Sequence, residues 1–222
     1  MNDGNEEIRE HGVEVSGGKF AISELGDPAG QPVVYCHGGL NSRRDIHFAA
    51  RVARRAGVRI LAIDRPGIGG STPQRERTLS TWGGDVERVA DALELDRFTV
   101  LGWSFGGPFA LACASVLGTR VGAVGIVGGM TPLDRPGKAD ELGTAIGRRL
   151  LRWAPKRPRA AAAYLASSKL EPAGLLYRQV RSELPASDAK VLDGLGRTAA
   201  TAPFREAIRR TRVGSGALVA WG

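Results

Sequence analysis

Phe98-Thr99-Val100-Leu101-Gly102-Trp103-Ser104-Phe105-Gly106-Gly107 is the stretch that decides the fold. A four-residue strand of Phe98, β-branched Thr99, Val100 and Leu101, apolar enough to be covered on both faces, runs into a Gly-x-Ser-x-Gly pattern. An apolar helix then continues to about Leu117. The pattern suits a tight strand-to-helix turn. Its serine is held in a strained backbone so that the hydroxyl stands out of the sheet, and glycines two residues away on each side remove Cβ atoms that would collide as strand and helix close up. Gly107 and Pro108 fit the crowded first turn of that helix.

Working outward, the same alternation recurs. Lys19–Ser23 reads as a short strand after a frayed tail over 1–11, and it ends at Gly26-Asp27-Pro28-Ala29-Gly30. Pro32–Cys36 is a continuous apolar run, and Arg59–Ile63 and Val121–Val127 are expected as further buried strands. Between them the spacing predicts two helices. One runs from a Ser42 cap to Gly57 with Ile46, Ala49, Ala53 and Ala56 inward. The other covers about Ser80–Leu93 with Trp82, Val86, Val89, Ala90 and Leu93 inward. Buried strands alternating with amphipathic helices define an α/β fold with a mostly parallel sheet and right-handed crossovers. Ligands of such sheets bind at the carboxyl ends of the strands, where every motif of this chain begins.

His37-Gly38-Gly39 ends an earlier strand than the serine motif. Small residues there let the chain turn so that a backbone N–H faces Ser104. With the N–H of Phe105 it would form an oxyanion hole for a tetrahedral intermediate. His37 reads as a loop anchor rather than a base. With Asp64-Arg65-Pro66-Gly67-Ile68-Gly69-Gly70-Ser71 added, the chain resembles the α/β-hydrolase-fold family of esterases, lipases, haloperoxidases and C–C hydrolases from about residue 13 to 130. The resemblance implies Ser104 as nucleophile, Gly39 and Phe105 as oxyanion donors, and residues 64–71 as a loop buttressing the turn. A serine at 104 argues against the branch with an aspartate nucleophile. The division expected is a flexible tail over 1–12, an α/β-hydrolase core over 13–130, and a helical cap over 131–222. Pro155, Pro158, Pro172, Pro185 and Pro203 would cut that cap into short helices.

The triad pattern then breaks. A Ser-His-acid site needs a base after the serine in this fold. The three histidines, His11, His37 and His47, all precede Ser104. Asp134 is a candidate acid. The resemblance also implies two more strands after the cap, which leads to the expectation of a truncated hydrolase. Such a chain would be weak or inactive for want of a histidine, with Val121–Val127 an unprotected edge able to drive self-association. The alternative is a non-catalytic ligand-binding protein on the same fold.

Composition narrows the partners. The 222 residues carry a net charge of +8, but residues 131–222 hold all the excess, densest around Arg148, Arg149 and Arg152. A solvated basic face accounts for it, and a patch for an acidic partner is the functional alternative. No nucleic-acid motif or aromatic interleaving accompanies the charge, and no apolar run is long enough to span a bilayer. The polar, acidic start is unlike a secretory or transit peptide, so a cytoplasmic location is expected. Two cysteines, Cys36 and Cys113, exclude a disulfide scaffold. No Walker loop or dinucleotide fingerprint is present, and neither cofactor nor metal is implied. The expected partner is a small apolar ester-like substrate, with Trp103 and Phe105 as apolar walls.

Overall fold

The computed structural model describes residues 8–39, 41–74, 77–130, 156–157, 160, 173–198 and 201. Six strands form one sheet in the order β1-β2-β4-β3-β5-β6. They are β1 (Arg9–Val15), β2 (Gly18–Gly26), β3 (Gln31–Cys36), β4 (Val58–Ile63), β5 (Phe98–Trp103) and β6 (Val121–Val127). β1 and β2 are an antiparallel hairpin, and β2 joins β4 antiparallel. The pairs β3–β4, β3–β5 and β5–β6 are parallel, as the crossover helices require.

Alternation along the central strands makes two cores. Val34 and Cys36 of β3, Leu61 and Ile63 of β4 and Val100 of β5 face α2 (Leu79–Ala92) and α3 (Gly106–Leu117). Tyr35 of β3 and Ile60 and Ala62 of β4 face the opposite side, covered by a 3-10 segment (Arg43–Ala49) and α1 (Ala50–Arg55). Both faces of these strands are therefore apolar, which is why they read as continuous hydrophobic runs. α2 begins with a reciprocal cap, Thr78 and Thr81 each accepting the other's N–H.

Three expectations need correction. The chain becomes ordered strand at Arg9, so the frayed tail over 1–11 is too long. Arg9, Glu10 and His11 look like tail because β1 is an edge strand with an exposed face. Ser42 does cap the segment after β3, but the first seven residues wind as a 3-10 helix. Ile46, Ala50 and Ala53 are buried and Ala49 packs half-buried against the same core, while Ala56, predicted inward, is exposed because α1 ends at Arg55. The third concerns β6: its apolar sequence reads as a buried strand, but it is largely exposed, in line with the expectation of an unprotected edge. Ile126 is 43% and Val127 57% exposed. Among the described residues no strand pairs with its far side.

Of the segment 131–222, two helices are described, α4 (Ala173–Glu183) and α5 (Ala186–Leu195), separated at Pro185. Tyr177 and Arg181 of α4 both donate to Asp193 of α5, at 2.5 Å and 2.7 Å. Asp134 and the basic cluster at Arg148, Arg149 and Arg152 lie outside the described residues. Among the described residues no helix is long and apolar enough to cross a membrane.

Candidate active site

The strongest local signal is a backbone angle. Ser104, between β5 and α3, has φ +54°, the left-handed region that side-chain-bearing residues avoid. The turn is closed by hydrogen bonds on both sides. Ser104 N–H donates to the Val127 carbonyl at 2.9 Å, while its own carbonyl accepts from Gly107 N at 3.0 Å and Met130 N at 3.2 Å. A strained residue pinned this firmly is held there by its surroundings.

The flanking glycines are forced by contact. A Cβ on Gly102 would lie 2.5 Å from the Gly106 carbonyl oxygen. One on Gly106 would overlap the Cys36 carbonyl oxygen and come 2.8 Å from its carbon. The start of α3 is thus pressed against the end of β3, and its positive end faces the space beside Ser104.

The loop after β3 lies on this turn. A Cβ on Gly38 would meet the Trp103 ring at 3.0 Å, and one on Gly39 the Phe105 ring at 2.5 Å. The two aromatic residues flanking Ser104 therefore cover the two glycines of the loop. The structure brings Ser104, Gly39 and Phe105 together. Among the described residues no histidine or carboxylate hydrogen-bonds to the Ser104 hydroxyl.

The three histidines are committed elsewhere. His11 pairs with Glu24 across the β1–β2 hairpin at 2.7 Å. His47 sits in the 3-10 segment, in the electrostatic neighbourhood of Glu10. His37 is fully buried. Its Nδ1–H donates to the Gly38 carbonyl at 2.9 Å, and its Nε2 accepts the Arg65 N–H at 3.3 Å, a pairing that fits the neutral ring. Burial, reinforced by the Arg65 charge, holds the imidazole well below its ordinary range. The reading of His37 as an anchor fits this geometry.

The loop after β4 carries the polar scaffold. Asp64 is fully buried and accepts the backbone N–H of Arg43 at 2.7 Å, the Arg43 guanidinium and Gly70 N–H at 3.3 Å. Arg43 reaches on to Glu10 at 3.3 Å, so β1 is tied to the same network. Ser71 donates to the Asp64 carbonyl at 2.7 Å and accepts Ala21 N–H at 3.0 Å. Every polar residue of the 64–71 run that pairs in this way braces the loop, and none of them reaches Ser104.

In sequence Asp45 marks only the first turn of the helix that Ser42 caps, and nothing there signals its buried place. Both its carboxylate oxygens are buried without a hydrogen bond of ordinary geometry, although the Tyr35 hydroxyl and the Gly38 amide stand beside them. Burial pushes its pKa up to about 7. Tyr35, the Gly38 amide and Arg65 pull it down, and Asp64 pushes it up. A folded-state pKa above the unfolded 3.8 means that the fold retains a proton the unfolded chain releases. Stability from this group is complete at low pH and is lost as pH rises through about 7. Asp45→Asn is therefore expected to raise stability at about pH 8 by on the order of 1–2 kcal/mol and to change little near pH 4. Thermal melts of both proteins across that range check it, and equal pH dependence would contradict it.

Fold and serine turn together define the class. The profile of the alpha/beta hydrolase fold matches residues 31–189, and the chain belongs to that family. Among curated proteins it is 36% identical over 102 residues to a proline iminopeptidase of Xanthomonas citri, covering 42% of this chain and 31% of that protein. It is 37% identical over 92 residues to a probable proline iminopeptidase of Leptolyngbya boryana, covering 40% and 28%. The matches thus span about a third of those relatives' length. Among solved structures, the esterase RhEst1 from Rhodococcus sp. ECU1013 superposes with a TM-score of 0.62 at 26% identity, over 96% of this chain and 72% of that one. A bromoperoxidase from Bacillus anthracis superposes with a TM-score of 0.69 at 20% identity over 96% and 72%, a likeness of fold.

Proposed function

We propose that the protein is a serine hydrolase that cleaves a small ester or amide with an apolar acyl group through an acyl-enzyme at Ser104. The observation carrying this is the left-handed backbone of Ser104 at the β5–α3 junction, beside the Gly38–Gly39 loop. In this reading Ser104 Oγ bonds to the acyl carbon, and the backbone N–H groups of Gly39 and Phe105 hold the oxygen that gains charge. The acyl carbon's bond to the leaving group breaks, the departing group takes a proton, and water later releases the acid and restores the hydroxyl. Trp103, 37% exposed, and Phe105 would form the apolar walls around the acyl chain. The peptidase and esterase named among the relatives support acyl transfer, and the apolar walls favour an ester or amide over a charged substrate.

Proton removal is the weak step for residues 1–222, because no histidine stands at Ser104. The expected result with a fluorophosphonate is slow phosphonylation, in which the Oγ–P bond forms and fluoride leaves. Its rate should keep rising with pH instead of levelling off above an imidazole-like pKa near 6.5, and added imidazole should accelerate it by about tenfold or more. A rate that levels off near neutrality without imidazole would place a built-in base at the site and contradict this. Reversible binding of apolar esters with no labelling at any pH would favour the non-catalytic reading, which the positions of the three histidines support.

A further inference from the structure

Arg65 is the least expected residue near the site. It is 3% exposed, it is the second residue after β4, and its guanidinium faces main-chain carbonyls. One arm donates to the His37 carbonyl, and the other donates to the Gly38 carbonyl at 2.8 Å. The Gly38 carbonyl also accepts His37 Nδ1–H, and the main-chain N–H of Arg65 donates to the other nitrogen of that ring, Nε2. The guanidinium lies 4.7 Å from the centroid of Phe109, a residue in the first turns of α3. Burial lowers its pKa only to about 10, so it is charged at neutral pH.

This geometry has a directional consequence. The peptide bonds are trans, so the C=O of Gly38 and the N–H of Gly39 point in opposite directions. Anchoring the Gly38 carbonyl on Arg65 turns the Gly39 N–H away from Arg65. The planar fork grips two successive carbonyls at once while its flat face rests on α3. One side chain thereby ties the loop after β3, which carries Gly39, to the helix that begins beside Phe105.

We propose that Arg65 is a positioning residue that sets the direction of the Gly39 N–H as an oxyanion donor, acting through the carbonyls of His37 and Gly38. This rests on the Ser104 hydrolase reading. A lysine can reach one carbonyl but not hold two in a plane, and a methionine fills the space without holding either. A purely structural Arg65 would affect melting and leave the chemical step of the folded protein untouched.

The test is saturation labelling of residues 1–222 by a fluorophosphonate with imidazole present, which separates probe affinity (KI) from the bond-forming rate (kinact). For Arg65→Met, kinact is expected to fall by about tenfold or more with KI within about twofold, and Arg65→Lys should lie between Met and wild type. Circular dichroism verifies the fold of each variant. Wild-type labelling with kinact unchanged in Arg65→Met would overturn the assignment of Arg65 and leave the hydrolase reading standing. No labelling of Ser104 in the wild type would overturn both. If Arg65→Met does not fold, Arg65→Lys decides alone: an unchanged kinact overturns the proposal, and a reduced kinact at constant KI upholds it.

Discussion

Ser104→Ala is expected to abolish fluorophosphonate labelling while leaving the protein folded. The hydroxyl is the only group the substitution removes, and the nucleophile has no substitute at that turn. Loss should reach the detection limit, several orders of magnitude, because no bond to phosphorus can form at that position. Backbone strain supplies a second arm. At φ +54° any Cβ is disfavoured, so Ser104→Gly should be about 1 kcal/mol more stable than Ser104→Ala and equally inert to the probe. Labelling that survives in either variant would place the reactive group elsewhere. Equal stability of the two would mean that the turn carries no strain.

The second large effect concerns Gly106. Its added Cβ would overlap the Cys36 carbonyl oxygen, and it would lie 3.0 Å from the His37 carbonyl oxygen. Both are main-chain atoms of the strand end and loop, which cannot swing aside as a side-chain tip can. Gly106→Ala is expected to destabilise by about 3 kcal/mol or more, or to prevent folding. Gly84 provides the contrast. In the interior of α2, its Cβ would meet only the Arg88 guanidinium at 3.6 Å. Gly84→Ala should therefore stabilise by about 0.5–1 kcal/mol through helix propensity. Urea unfolding of the two variants checks both signs. A Gly106→Ala protein as stable as wild type would mean that the elbow does not press on β3.

Much of this architecture is legible in the residues. Val33 to Cys36 and Ile60 to Ile63 are apolar on both faces because helices cover both faces, and such runs announce themselves. Gly102, Ser104 and Gly106 are legible because a tight turn tolerates so few residue types. The edges were harder to read. β1 resembles a tail because its first residues, Arg9 to Gly12, are exposed on both faces, while β6 resembles a buried strand although Ile126 and Val127 are exposed. Local composition does not report which neighbours a strand has. Ala56 reads as an inward position, but α1 ends at Arg55 and leaves it exposed.

The polar scaffold of the site was the least legible part. Arg65 could be singled out as part of a glycine-rich loop, but its partners are carbonyls 27 and 28 residues away and have no side-chain signature. Asp45 read only as a residue suited to a helix start. Its burial beside Tyr35 and Gly38 depends on how the 3-10 segment folds back over the sheet. The histidine arithmetic, by contrast, needed no structure. All three side chains precede Ser104, and the fold shows each of them occupied away from it.

The account stands on the relation between Ser104 and the amides of Gly39 and Phe105. The most direct measurement is a crystal structure of the phosphonate adduct. It should show phosphorus bonded to Ser104 Oγ and the phosphoryl oxygen within about 3.2 Å of both backbone nitrogens. An adduct on another residue, or a phosphoryl oxygen turned away from both amides, would contradict the account.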